Sequence, residues 1–295
     1  MPLLHLNTPQ LAQGWCEQQR QLGNNIGFVP TMGALHEGHL SLIRAAQQQT
    51  DDVVVSIFVN PLQFNNPEDL AKYPRDLEAD LSLLRAEGVA MVFTGEVSDF
   101  YTDVTSIHDI EPTDPGPYAQ GMEGAHRPGH FEGVREIVSR LFFFSGPCTA
   151  FFGEKDFQQV QIIKQLAVEM GDIEVVTCPT SRETSGLAHS SRNARLSDEG
   201  KHLAAVIHQA LTATQDVWNK HERLAPALRQ EMLTVLNKAN VNWEYAEVVD
   251  PNNWTATTPA IALEHARGLI ALEIDGVRLI DNMLIGKESD QITLS

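Results

Sequence analysis

The stretch FVPTMGALHEGHL, Phe28–Leu40, decides how this chain is read. An apolar run meets Pro30, a Gly/Ala-rich loop follows, and His36 and His39 flank Gly38 where a helix should begin. A strand that turns through glycine into a helix opens a βαβ unit. If the helix starts near His36, both imidazoles lie on one face of its first turn, where unpaired N–H groups and the helix dipole favour anions. Gly38 costs about 1 kcal/mol relative to alanine within a helix, which makes sense if a ligand packs against the backbone there. A nucleotide suits that place. Two other readings stay open: a metal site, although metal-binding histidines on a helix more often stand at i and i+4, and a pair of solvated histidines.

Working outward, apolar runs alternate with segments of helical periodicity from residue 26 to about 178, the pattern of a parallel sheet. The expected strands are IGFV (26–29), VVVSIFV (53–59), AMVF (90–93), TAFF (149–152) and IEVVTC (173–178). VVVSIFV is apolar on both faces apart from Ser56, which suits a central strand covered on each side. Helices are expected at HLSLIRAAQQQ, DLEADLSLLRAEG and FQQVQIIKQLAVEMG. The connection from about Gly95 to Gly133 is too long for an ordinary loop and reads as a functional lid or a disordered segment. GAHRPGHF within it, with Arg127 and its histidines, favours the lid.

After Asn193 the character changes. SDEGKHLAAVIHQALTATQDVWNKH predicts one long amphipathic helix and APALRQEMLTVLNKA another. WEYAEVVD follows, and LIALEI and VRLIDN flank Asp275-Gly276, a two-residue hairpin signal. The fold class is therefore α/β, with a Rossmann-like parallel-sheet domain over 1–178 and a smaller α+β domain over 179–295.

The 295 residues carry 21 Lys+Arg against 39 Asp+Glu, a formal charge of -18, so an extended nucleic-acid surface would work against the protein's own field. A small anionic ligand would need a local pocket of cationic side chains and backbone N–H groups. Cys16, Cys148 and Cys178 lack C-x-x-C spacing and give neither a metal knuckle nor an even disulfide framework. MPLLHLNTPQ lacks the features of a signal peptide and no run approaches a membrane span, so the expected location is the cytoplasm, without a membrane partner.

In open parallel sheets, ligands bind beyond the carboxyl ends of the strands. The segments there are PTMGALHEGH, NPLQF, GEKDFQQ and PTSRETSGLAHSSRN, all expected along one edge. Lys155 can neutralise a transferring phosphate and Asp156 can hold Mg²⁺ directly or through water, or GEKD is simply a charged turn. Ser190 to Asn193 offer hydroxyls and a guanidinium fork, or an N-cap cluster for the next helix. Gln63 and Gln159 are neutral amides able to orient a hydroxyl or a carboxylate.

FVPTMGALHEGHLSLI, SIFVNPLQFNNPEDLAKYPRDLEADL, GAHRPGHFEGV, FFGEKDFQQ, GLAHSSRNARLS and RLIDN together resemble the pantothenate synthetases, or pantoate-β-alanine ligases, in order and spacing nearly end to end. HEGH is similar to the HxGH signature of the wider nucleotidyltransferase superfamily. The resemblance implies a reaction in two steps. The carboxylate of (R)-pantoate attacks the α-phosphorus of Mg-ATP and expels pyrophosphate; the amine of β-alanine then attacks the pantoyl adenylate, giving pantothenate and AMP.

The resemblance further implies that Met32, Gly33, Ala34, Leu35, His36, Glu37, Gly38 and His39 hold ATP, with His39 as proton donor and His36 beside it on the phosphates. Gly153, Glu154, Lys155, Asp156, Ser181, His189, Ser190, Ser191 and Arg192 would complete the ATP site, and Gln63 and Gln159 would bind pantoate, Gln63 also close to β-alanine. His36, His39, Lys155, Arg192 and Mg²⁺ would stabilise charge at phosphorus. The C-terminal domain would act as a lid that shields the adenylate from water. A homodimer is implied as well. The chain departs from the family at Ser181, Ser185 and His189, where valine, aspartate and an apolar residue are usual, and at His126 and Glu132. Two rivals are a nucleotidyltransferase that stops at a nucleotidyl product and a nucleotide sensor without catalysis. Gln63 and Gln159 argue against the first, and intact HEGH, GEKD and SSRN against the second.

Overall fold

The computed structural model describes residues 2–252 and 262–287. It divides into two compact units, Met1–Ala119 with Glu123–Ser181, and Gln120–Met122 with Arg182 onward.

The first unit is built on six strands, β1 (Leu4–Leu6), β2 (Ile26–Thr31), β3 (Asp52–Ile57), β4 (Met91–Phe93), β5 (Cys148–Gly153) and β6 (Ile173–Cys178). All ladders are parallel and the order is β1-β4-β3-β2-β5-β6. The longer helices are α1 (Pro9–Gln21), α2 (Glu37–Gln47), α3 (Leu77–Ala86), α4 (His130–Ser145) and α5 (Phe157–Met170). Successive strand residues face opposite sides, so β2 sends Phe28 into one core and Val29 into the other. Phe28, Val54, Phe93 and Ala150 pack with residues of α1, α4 and α5. Val29, Val55, Val92 and Phe151 pack with Leu40 and Ile43 of α2 and Leu81 and Leu84 of α3. The β3 run, apolar on both faces apart from Ser56, is thus explained, since both its faces are covered.

Three features depart from the expectations. Strand β1 was not foreseen; it spans three residues at the sheet edge, with only Leu6 half-buried, too short for a periodic signal. Helix α4 was not foreseen either, although it carries an amphipathic signal: Glu132, Glu136, Ser139 and Arg140 recur at helical spacing opposite the buried Phe131, Val134, Ile137, Val138 and Leu141. It also begins inside the connection read as a lid or disordered. That connection is ordered, with short helical turns at Val97–Phe100, Ile107–Asp109 and Pro117–Ala119, and GAHRPGHF buries His130 and Phe131 instead of projecting as a lid.

In the second unit, α6 (Asp198–Ala204), α7 (Val206–Asn219) and α8 (Ala225–Lys238) pack on an antiparallel sheet of β7 (Asn242–Val249), β8 (His265–Ile274) and β9 (Val277–Lys287). The single long helix expected after Asn193 breaks at Ala205, where ψ is -16. Ala204 and Val206 are both buried, yet two residues apart on a straight helix they would face about 200° apart; the break lets both reach one core. Asp275 and Gly276 form the expected hairpin turn with φ of 54 and 70, as a type I′ turn requires.

Gly133 marks where α4 meets the loop after β3. A Cβ there would lie 2.4 Å from the Leu62 carbonyl oxygen and 2.8 Å from the Gln63 amide nitrogen. Helix propensity alone favours Gly133→Ala by about 1 kcal/mol, but the backbone it would strike cannot swing aside. The expected outcome is a net loss of about 1–3 kcal/mol, seen as a lower urea midpoint. A midpoint unchanged or raised would show that the loop can move away.

Candidate active site

The chain runs outward from β2 to β3 and β4, then returns to β5 on the other side of β2. The strand order therefore reverses between β2 and β5, the place where open α/β sheets bind ligands. The hydrogen bonding opens at that place. Between β2 and β5 the register pairs only Gly27 with Thr149 and Phe28 with Ala150. On the outer sides, the β2–β3 ladder continues to Thr31 and Ile57 and the β5–β6 ladder to Gly153 and Cys178. The Phe58 amide donates to the Thr31 carbonyl at 3.1 Å, so Thr31 turns its backbone toward β3. Pro30, its neighbour, turns toward β5, where it has no N–H to continue the ladder. A crevice results, with the Met32–His39 segment on one lip and Gly153–Asp156 on the other. A Cβ on Gly153 would meet nothing within 4 Å.

His36 is the N-cap of α2 and His39 its third residue, with ring centroids 4.1 Å apart. The Gly38 amide donates to His36 Nδ1 at 3.1 Å, and the His36 amide donates to His39 Nδ1 at 3.3 Å. A backbone amide can only donate, so both Nδ1 atoms are acceptors and each neutral ring carries its proton on Nε2. This reciprocal cap explains why the histidines stand three apart. His39 is half-buried, and desolvation, with the nearby Lys155 charge, pushes its pKa down to about 4. The pair therefore carries its ring protons on the two Nε2 atoms, at a helix N-terminus.

Lys155 and Asp156 lie in the turn from β5 to α5, with Nζ and Oδ1 3.6 Å apart. The Lys155 charge reaches His39 across the crevice, so these two predicted groups are brought together. Gln63, in the loop after β3, donates from Nε2 to the Met32 sulfur at 2.7 Å, which places its amide against the first lip. Its carbonyl is held from two directions: His130 Nδ1 donates at 2.9 Å and Arg127 Nη2 at 3.2 Å. Arg127 Nη1 also donates to His130 Nε2 at 3.1 Å, which fixes the ring as the opposite tautomer to His39. Burial, then the Arg127 charge, pushes His130 down to about 4. Gln159, in the first turn of α5, is partly exposed, whereas its neighbour Gln158 is buried and bonded to Glu123 N and Tyr118 O.

Ser181 ends the first unit, and His189 to Arg192 lie in the second. Ser190 caps the short helix Ser191–Arg195, accepting from the Arg192 amide at 3.3 Å, so the N-cap alternative is realised for this serine. Its O–H still has a proton to donate. The loop carrying these residues is tied down by Arg182, which bonds both oxygens of Asp281 and the carbonyls of Gly186 and Asn282. That gives the RLIDN block a structural duty which its sequence alone did not disclose.

Asp80 was also missed. It is buried, and its two oxygens accept from the Ala34 and Leu35 amides. A signal was available, since Asp80 interrupts the apolar stripe of α3 beside Leu81 and Leu84. Burial raises its pKa, and the two amides offset only part of that rise. A cavity of about 400 Å³ opens behind this segment at the ends of β3 and β4, lined in part by Met32, Gly33, Arg75, Asp80 and Glu96. His36, His39, Lys155 and Gln159 do not line it. Among the described residues no cluster of three His, Cys, Asp or Glu could hold a metal ion by itself.

The profile of the pantoate-beta-alanine ligase family matches residues 5–284. The pantothenate synthetase of Cytophaga hutchinsonii is 43% identical over 270 residues, which is 91% of this chain and 94% of that one. That of Ruegeria pomeroyi is 43% identical over 284 residues, 94% of each. Among solved structures, the Thermus thermophilus pantothenate synthetase superposes with a TM-score of 0.85 at 36% identity, covering 96% of this chain and 99% of that one. The Francisella tularensis pantoate-beta-alanine ligase complexed with beta-gamma ATP and beta-alanine gives 0.76 at 34%, covering 96% and 98%.

The two desolvated imidazoles make a pH prediction. A pKa lowered from 6.5 to about 4 means that the unfolded chain binds protons the folded chain refuses between those values. The contribution of His39 and His130 to folding should therefore be complete above pH 6.5, fall as pH drops toward 4, and level off below. A ¹⁵N NMR titration should show both midpoints near 4, with the proton of His39 on Nε2 and that of His130 on Nδ1. A midpoint near 6.5 for His39, or an Nδ1 proton on it, would refute the capping assignment.

Proposed function

The chain belongs to the pantoate-beta-alanine ligase family, and from that premise we propose which residues carry each part of the reaction. It is an AMP-forming carbon–nitrogen ligase that condenses (R)-pantoate with β-alanine through a pantoyl adenylate, releasing pyrophosphate and AMP. The observation that best supports the residue roles is the capped histidine pair beside Lys155 at the open end of the β2–β5 ladder.

In the first step a carboxylate, already ionised at neutral pH, displaces pyrophosphate at the α-phosphorus. No proton must move for that exchange. What the site must supply is in-line positioning and donors aimed at oxygens that gain charge. His36 and His39 give Nε2–H donors, Lys155 a full positive charge, and the Met32–His39 segment, with Gly153 and Glu154, lines the phosphates. A neutral imidazole is a poor acid, so His39 acts by hydrogen bonding instead of handing over its proton, which narrows the role that the resemblance alone implied. Gly38, without a side chain, leaves room for the nucleotide beside the paired rings. Gln63 and Gln159 hold the pantoate carboxylate and hydroxyl without competing charge. Gln63 remains near the acyl carbon when the amine of β-alanine attacks.

From the resemblance, Ser181, His189, Ser190, Ser191 and Arg192 complete the nucleotide contacts, and the 179–295 region serves as a lid over the 1–178 nucleotide- and pantoate-binding domain. Mg²⁺ enters with ATP. The fit is to a shared ion, not a resident one, since Asp156 offers a single carboxylate, 44% exposed and beside Lys155, and Mg²⁺ is commonly held by one or two carboxylates plus substrate phosphates. When bound it neutralises phosphate charge. A homodimer is in keeping with the apolar Phe143 and Val168, 62% and 82% exposed. A cytoplasmic setting is in keeping with the cysteines Cys16, Cys148 and Cys178, which are free. No helix among the described residues is long and apolar enough to cross a membrane.

The test is ATP–pyrophosphate exchange with pantoate alone, followed by AMP release on adding β-alanine. Exchange should depend strictly on pantoate, and exchange without it would overturn the reading. His39→Ala should lower kcat by about 10² or more with a smaller effect on ATP binding. Near-normal turnover would remove His39 from the chemistry.

A further inference from the structure

Asp80 is a buried charged group that the mechanism above does not use. It projects from α3 with 3% of its surface exposed, and its oxygens accept from consecutive amides, Ala34 N at 2.9 Å and Leu35 N at 2.7 Å. Those amides belong to the turn that joins β2 to α2. The turn runs through left-handed backbone, with φ of 77 at Gly33 and 50 at Ala34. An alanine in that region is disfavoured by contact between its Cβ and the backbone and persists only where its surroundings hold it. The Asp80 carboxylate is that hold. The fit is close on the other side too, since a Cβ on Gly33 would stand 2.8 Å from Asp80 Oδ2 and 3.1 Å from Ile57 Cγ2.

We propose that Asp80 is a positioning residue for the nucleotide, fixing the Gly33–Leu35 turn so that His36 enters α2 at its N-cap with its ring against His39. The inference rests on the reading of Met32–His39 as the ATP-holding segment. Asp80 touches no reacting atom; it acts through the backbone of Ala34 and Leu35. Both amides need an acceptor, and an ionised carboxylate provides two oxygens, whereas asparagine provides one oxygen and an NH₂ that would face an N–H, donor against donor. A neutral isostere therefore cannot replace the anchor. The turn, once loosened, no longer presents the Nε2–H pair in a fixed position, so the substrate that suffers first is ATP.

Steady-state kinetics of Asp80→Asn in the full chain, varying each substrate in turn, test this. The expected result is a KM for ATP raised about tenfold or more, with KM for β-alanine changed by less than about twofold. Adding Ala34→Gly, which lets the turn adopt positive φ without the anchor, should recover at least about threefold of the ATP defect. A general loss of folded enzyme would not respond to that substitution. An ATP KM within about twofold of the parent, KM values that rise together for all three substrates, or no recovery with Ala34→Gly would each overturn the proposal. If Asp80→Asn fails to fold, Asp80→Glu decides, because it keeps both carboxylate oxygens but shifts them by one methylene: an ATP-selective defect that Ala34→Gly relieves supports the proposal and an unchanged ATP KM ends it. His39→Ala, run in parallel, separates the two levels. Normal turnover there would fault the assignment of the segment to ATP, whereas a crippled His39→Ala beside a normal Asp80→Asn would fault only the role of Asp80.

Discussion

The parting of β2 from β5 is the constraint on which the rest of the first unit depends. Two parallel strands that share a sheet would ordinarily pair along their whole length. Here they pair at Gly27 and Phe28 and then separate, although each keeps its outer neighbour to the last residue. Pro30 has no amide hydrogen to offer at the position where pairing stops. The strand ends are therefore held from outside and open inside, which gives a crevice with rigid lips. The reversal of strand order at the same place sends the loops after β2 and β5 to either side of it.

What fills those lips follows from backbone accounting. Helix α2 begins with amides that need acceptors, and imidazole Nδ1 atoms meet two of them. The consequence is electrical as well as structural. Because Nδ1 is engaged as an acceptor, protonation would break the cap, and at His39 desolvation with Lys155 nearby opposes it further. A site for a polyanion inside a chain of net charge -18 thus places its full positive charge on lysine and keeps its histidines as neutral donors. With its pKa pushed down to about 4, His39 keeps the same donor geometry across the physiological range.

Much of the fold was legible because the strands of a covered parallel sheet are continuous apolar runs, and IEVVTC and the Asp275-Gly276 turn were readable to the residue. Helix α4 was overlooked although its period was there to read in Glu132, Glu136, Ser139 and Arg140; the buried Arg135 and the apolar Phe143 in the exposed row blur the stripe, and the helix starts inside the Gly- and Pro-rich connection. The break at Ala205 was invisible: it depends on a core in three dimensions that asks Ala204 and Val206 to face the same way. At the site, HEGH, GEKD and the two glutamines could be named from their places after strands. The side chains that hold them could not, because Asp80 and Arg182 act on backbone distant in sequence.

Residue type alone does not separate these duties, but burial does. Gln158 and Gln159 are adjacent, yet the first is buried with both ends of its amide bonded to backbone, and the second is partly exposed in the first turn of α5. Asp80 and Asp156 divide in the same way, the first 3% exposed against two amides and the second 44% exposed in an open turn. Asn60 and Gln63 repeat it within one loop: Asn60 is sealed between Tyr101, Leu62 and Gly133, while the Gln63 side chain reaches Met32 on the crevice lip. A buried amide or carboxylate must be satisfied within the chain, and the nearest partners are backbone groups. Such residues set the position of the chain itself. Their half-exposed neighbours keep hydrogen-bonding capacity for a ligand, and their aim is only as good as the backbone beneath them. The accuracy of this site is accordingly decided one layer below the side chains that would touch substrate.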